Sequence, residues 1–247
     1  MRNIKLTIEY DGKDFNGWQK QKEKLNIQGT IEKAIEEIVG EEVELMASGR
    51  TDRGVHALGQ VANFKTNSKL PIDKFPIALN SKLKQSIRIK SAEEVAEGFH
   101  SRLSCKRKTY RYVINNSRYG TAIYRNIETH IPIKLDVKRM QEAVKYFQGE
   151  HDFKAFKASG TSSKSSVRTI YEANVIEMPD ERIYIELTGN GFLYNMVRII
   201  AGTLVDVGLG KLQPCDIPSI IESKKRELAG KTLQPQGLVL LNVEYDK

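Results

Sequence analysis

Residues 48–56 read Ser-Gly-Arg-Thr-Asp-Arg-Gly-Val-His and set one carboxylate, Asp52, between the guanidinium groups of Arg50 and Arg53. A polar turn between two strand-like stretches is where catalytic groups commonly sit. The same composition also suits a tight turn whose aspartate accepts backbone N–H bonds. Local sequence leaves both readings open.

A second constellation is Gly189-Asn-Gly-Phe-Leu-Tyr-Asn-Met-Val-Arg198. At helical spacing Leu193, Met196, Val197, Ile200 and Leu204 form an apolar stripe, with Asn195, Arg198 and Gly202 on another side. An arginine amid bulky hydrophobes either snorkels its head to water or is held by a carboxylate, since an unpaired desolvated charge costs on the order of several kcal/mol. If the two halves of the chain face one another, Asp52 is a partner for Arg198. A bidentate contact would keep the carboxylate ionised and aimed.

Cations and aromatics alternate in Phe99-His-Ser-Arg102 and Lys106-Arg-Lys-Thr-Tyr-Arg-Tyr-Val113. On a strand Tyr110 shares its face with Lys108 and Tyr112, while Arg107, Thr109 and Arg111 point the other way. Rings that stack on bases and cations that meet phosphates suit a nucleic-acid surface; a half-buried tyrosine with a satisfied hydroxyl is the plainer alternative. The hydroxyl-rich segment 157–168 reads as a solvated linker or as a lid in which Lys164 and Arg168 contact phosphates.

Periodicity supplies the elements that must position these groups. The first half reads strand (3–10), helix (27–39), strands (43–47 and 57–64), helix (74–83) and strand (87–92). The second half reads strand (109–115), helix (137–147), strands (168–176 and 183–187), helix (193–205) and strand (239–245). Both halves follow the order β-α-β-β-α-β, the ferredoxin-like motif. The expected fold is therefore α+β, with two ferredoxin-like halves, residues 1–103 and 104–247, antiparallel sheets and a central active-site cleft.

The chain has 247 residues, 40% hydrophobic and 28% charged, a globular composition. Lys and Arg total 39 against 31 Asp and Glu, a net charge of +8 that favours a polyanionic partner. Cys105 and Cys215 stand far from any CxxC pattern, and His56, His100, His130 and His151 are scattered, so neither a disulfide framework nor a metal centre is expected. The apolar run 191–209 carries Asn195, Arg198 and Asp206, which suits a buried helix better than a membrane span. The alternating start, Met-Arg-Asn-Ile-Lys-Leu-Thr, reads as a strand and not as a signal peptide, so a cytoplasmic location is expected.

Taken together, the segments resemble the TruA family of tRNA pseudouridine synthases. The matching stretches are Tyr10-Asp-Gly12 with Gly17-Trp-Gln19, Ile27-Gln-Gly29, Gly49-Arg-Thr-Asp52 with Gly54-Val-His-Ala57, Phe99-His100, Tyr110-Arg-Tyr112, Val167-Arg-Thr-Ile170, Gly191-Phe-Leu193 with Met196-Val-Arg198, and Gly237-Leu238. The resemblance implies isomerisation of uridine to pseudouridine at positions 38, 39 and 40 of the tRNA anticodon stem-loop, with no cofactor and no metal, by a homodimer. It makes Asp52 the catalytic aspartate, acting as nucleophile at C1′ or as base on the sugar. Arg50 becomes the residue that enters the stack beside the target, Arg198 the partner of Asp52, and Tyr110 the ring that stacks on uracil. Arg107, Lys108, Lys164 and Arg168 are the expected phosphate contacts. The chain departs from the common pattern at Arg53, where alanine is frequent, and at Ser48, where Ala-Gly is frequent in place of Ser-Gly. A glycosidase that breaks the same kind of bond normally uses two carboxyl groups, and no second acid stands beside Asp52 in the sequence.

Overall fold

The computed structural model describes residues 1–160 and 165–246. Its fold is mixed α/β on mostly antiparallel sheet, and it divides into two compact units: Met1–Lys106 with Leu240–Lys247, and Arg107–Val239.

In the first unit the elements run β1 (Arg2–Tyr10), α1 (Ile27–Val39), β2 (Met46–Ala47), β3 (His56–Thr66), α2 (Lys74–Lys82) and β4 (Ile87–Val95). Strand β1 is central, with β3 and β4 antiparallel on either side, because Ile4, Leu6, Ile8 and Tyr10 alternate inward and are buried. Strand β2 pairs with β3, and β10 (Leu238–Tyr245) is the neighbour of β3 on the edge away from β1. Helix α1 starts where the Asn26 side chain accepts from the Gly29 N–H and stops at Gly40, which takes the left-handed conformation with φ 76°. Its buried face carries Ile27, Ile31, Ala34 and Ile35.

The second unit comprises β5 (Cys105–Asn115, from Arg107 on), β6 (Thr129–His130), α3 (Val137–Val144), β7 (Gly149–Asp152), β8 (Val167–Glu177), β9 (Arg182–Gly189), α4 (Met196–Gly208) and α5 (Asp216–Ser223). The sheet order is β5-β9-β8-β7, all antiparallel, with β6 parallel to β5. Helix α3 packs on α4 and on β8, burying Val137, Met140, Ala143 and Val144.

Two differences from the periodic reading matter for the site. Helix α4 begins at Met196, three residues later than the apolar stripe suggests, because Asn195 is left-handed at φ 59° and Met196 N–H closes a turn onto the Leu193 carbonyl. The helix is also crossed at close range by residues 230–231. A Cβ on Gly202 would stand 1.9 Å from the Lys231 carbonyl oxygen, and one on Gly230 would stand 2.5 Å from the Gly202 carbonyl carbon, so glycine is required at both. Thr203 fixes the crossing, donating to the Ile199 carbonyl and accepting from the Gly230 N–H at 2.8 Å. No helix among the described residues is long and apolar enough to cross a membrane.

Candidate active site

In the first unit, Asp52 and Arg50 lie on the loop that joins β2 to β3, and what precedes and follows that loop holds it. Ser48 is fully buried; its N–H donates to the Val61 carbonyl and its hydroxyl to Gln60 Oε1, both at 2.7 Å. The Gln60 amide in turn donates to the Gly49 carbonyl at 3.0 Å. Thr51 is pinned on both sides. Its Oγ1 lies 2.7 Å from the Tyr10 hydroxyl, and its carbonyl accepts from the Trp18 N–H at 3.0 Å. Val55 N–H donates to the Asp52 carbonyl, closing a turn completed by Gly54 at φ 79°.

The glycines of the early motif serve this loop. A Cβ on Gly12 would stand 2.0 Å from the Val55 carbonyl oxygen, and one on Gly17, whose φ is +85°, would stand 2.7 Å from the Thr51 carbonyl oxygen and 3.2 Å from the Arg53 nitrogen. The backbones on either side of Asp52 therefore rest directly on bare glycine. The Gly12 N–H donates to His56 Nδ1 at 3.1 Å, tying the far end of the loop to the same segment. Asp52 is half-buried, while Arg50 and Arg53 are exposed.

Tyr10 is the buried post of the assembly. Burial pushes its phenol up to about 12, with the Thr51 and Gln60 hydrogen bonds opposing that shift. A phenol raised in the folded state favours folding below its unfolded pKa of 10.0, and that contribution is lost as pH rises through the folded value. Stability is expected to fall between pH 10 and about 12 by as much as roughly 3 kcal/mol from this group. In Tyr10→Phe, chemical denaturation across that range should show a shallower fall, although Tyr112 and Tyr245, also raised by burial, keep it from vanishing. A slope identical to that of the parent would contradict this role for Tyr10.

In the second unit, Tyr110 lies on β5 opposite Leu187 of β9 and is buried. The Phe192 ring stands edge-on to it at 5.2 Å and 81°. Tyr112, two residues on, is core: its hydroxyl donates to the Gln234 carbonyl at 2.7 Å and lies against Thr129 Oγ1. Arg198, on the first turn of α4, is held rigidly. Nε donates to the Leu233 carbonyl and Nη1 to Asn195 Oδ1, both at 2.7 Å, which fixes the plane of the guanidinium. The left-handed turn that delays the helix is what brings the Asn195 amide to this arginine.

The expected phosphate contacts divide by face. Arg107 stacks over the Tyr171 ring at 4.7 Å and is exposed, whereas the neighbouring Lys108 is half-buried on the face of Tyr110. Arg168 lies against Gly191, and burial lowers its guanidinium from the ordinary value. Lys164 lies outside the described residues. Asp52 and Arg50 thus belong to one unit, and Tyr110, Arg198, Arg107, Lys108 and Arg168 to the other. Among the described residues no three His, Cys, Asp or Glu side chains gather as metal ligands would.

Several supports were not singled out from sequence. Gln60 and Asn63 are fully buried polar residues in β3, and only their place inside an otherwise apolar strand could have flagged them. Tyr171 is the extra residue of a bulge between Ile170 and Glu172, a re-aiming of one side chain that no propensity encodes.

The chain is similar to known proteins along nearly its whole length. A family model described as tRNA pseudouridine synthase matches residues 6–103 and 143–246. The tRNA pseudouridine synthase A of Caldicellulosiruptor bescii is 57% identical over 245 residues, covering 99% of this chain and 100% of the relative. That of Acetivibrio thermocellus is 53% identical over 245 residues with the same coverage.

Proposed function

The chain belongs to the tRNA pseudouridine synthases, and from that premise we propose that Asp52 is its catalytic carboxylate, working on uridines 38, 39 and 40 of the anticodon stem-loop. The enzyme is an isomerase acting on tRNA. Turning uridine into pseudouridine breaks the C1′–N1 bond, rotates the freed uracil and joins C1′ to C5, with the C5 proton released to water and a proton taken up at N1. No atom is gained or lost by the nucleoside.

The observation that carries the assignment is the clamping of the Asp52 loop. Its flanking backbone is fixed by Tyr10, Trp18, Gln60 and two glycine contacts, so a half-buried carboxylate is held where a bare turn would let it swing. Such rigidity suits a group that must meet C1′ as nucleophile or the sugar as base. We assign Arg198 as its guanidinium partner. Support comes from the fixed plane of that side chain, which presents a fork matching a carboxylate. Tyr110 is assigned to stack on uracil, backed by the edge-on Phe192. Arg50, exposed beside the aspartate, is assigned to fill the space left by the flipped nucleotide.

In this reading the chain comprises two ferredoxin-like halves, residues 1–103 and 104–247. The order β-α-β-β-α-β of the first unit supports it. The enzyme works as a homodimer in the cytoplasm, without cofactor, and Arg107, Lys108, Lys164 and Arg168 meet tRNA phosphates. The test is to incubate unmodified tRNA with the protein, digest it and map the product nucleosides. Pseudouridine confined to positions 38–40 is expected; pseudouridine elsewhere, or an abasic site with free uracil, would overturn the assignment.

A further inference from the structure

A second cationic feature lies on the first unit, whereas Arg107, Lys108 and Arg168 belong to the second. A cavity of about 400 Å3 opens between the start of α1 and the end of α2, and Lys24, Lys33, Lys82 and Lys84 line it, with Leu25 and Ala34 among its apolar walls. Its one carboxylate, Glu37, is taken by Lys82 at 3.4 Å. Lys24, Lys33 and Lys84 are exposed and have no anionic partner among the described residues. Three exposed lysines thus line one concavity, a local positive potential that favours an anionic occupant.

The frame around them is firm. Asn26 caps α1 and its amide donates to the Lys24 carbonyl at 2.6 Å, while Arg88 donates to the Lys84 carbonyl at 2.8 Å, so both backbones are tied down. The amides that open α1 are already used: Ile27 and Gln28 donate to the Gly17 and Trp18 carbonyls, and Gly29 and Thr30 to Asn26. An anion here would therefore be held by lysine side chains alone. Such an open, side-chain-only site suits an extended chain of phosphates more than one compact ion, which would call for converging N–H donors. The groove is also coupled to the catalytic loop through one residue, since the Trp18 carbonyl accepts from Gln28 and its N–H donates to Thr51.

We infer that this groove binds the sugar-phosphate backbone of the tRNA substrate through Lys24, Lys33 and Lys84. The inference rests on the tRNA reading above. Contacts of this type position RNA without reading its sequence, so the groove adds affinity and register for every tRNA alike.

The test compares the full-length protein with the triple variant Lys24→Ala, Lys33→Ala, Lys84→Ala, and with a control that removes the same charge elsewhere, Lys69→Ala, Lys134→Ala, Lys138→Ala. Equilibrium binding of unmodified tRNA is measured over a salt series. The groove variant should bind about ten-fold more weakly at 0.1 M salt, and its slope of log affinity against log salt should flatten by about two to three. The control should match the parent. Equal weakening by both variants would reduce the effect to net charge and overturn the proposal. Unchanged affinity and slope in the groove variant would do the same, including the case in which that variant alters only self-association. Should the parent bind tRNA yet make no pseudouridine, the catalytic assignment fails while the groove result stands on binding alone.

Discussion

Asp52→Asn is expected to abolish turnover, by about 10^4-fold or more, while tRNA affinity stays within a few-fold of the parent. The amide is nearly isosteric with the carboxylate. The turn it sits in is built from the Asp52 backbone carbonyl, the Gly54 conformation and the Gly17 contact, none of which needs the side-chain charge. What is removed is the group proposed to attack C1′ or take a proton from the sugar. Single-turnover kinetics beside a binding isotherm separate the two effects. A variant that retains a tenth of the parent rate would remove Asp52 from the chemistry, and one that loses affinity and turnover in parallel would make it a binding residue.

Arg198→Ala is expected to lower kcat by about 10^2 to 10^3-fold with KM changed only a few-fold, since its proposed task is to hold Asp52 ionised and aimed. A purely structural part for Arg198 is also defined by its contacts. Losing its side chain strands the Leu233 carbonyl and the Asn195 side chain, at a cost of about 1–3 kcal/mol of stability. Two readouts separate the roles. Added guanidinium should restore part of kcat if the missing group is a charge beside a carboxylate, and Arg198→Lys should recover less than Arg198→Ala plus guanidinium because an ammonium cannot present the planar fork. A fall in thermal stability with no rescue and equal losses in kcat and KM would leave Arg198 as scaffold alone.

The sequence made the supporting elements legible wherever burial follows a short period. Strand β1 alternates residue by residue and α1 carries both a side-chain cap and a left-handed glycine stop, so their ends fall where local chemistry puts them. Short pieces escaped: β6 has two residues and β7 four, and each is held by a neighbour distant in sequence, β5 and β8 respectively. Helix α5 is only eight residues long and carries Pro218 in its first turn, which hides its Ile217, Ile220 and Ile221 face.

At the site, the residue types stood out in sequence while their supports did not. Gly12 and Gly17 belong to a recognisable stretch, yet their closeness to the backbone around Asp52 exists only once the segment after β1 folds over the β2–β3 loop. The delayed start of α4 is a left-handed asparagine that periodicity cannot register. The lysine groove joins residues 24–33 to 82–84 through the packing of α1 on α2, so no window along the chain contains it.

The most direct test of the central claim incubates the protein with unmodified tRNA carrying tritium at uridine C5 and follows label released to water. Release that saturates at the number of target uridines, with no uracil leaving the chain and none of it in Asp52→Asn, is the result expected. Tritium retained by the parent, or released equally by Asp52→Asn, would contradict the account.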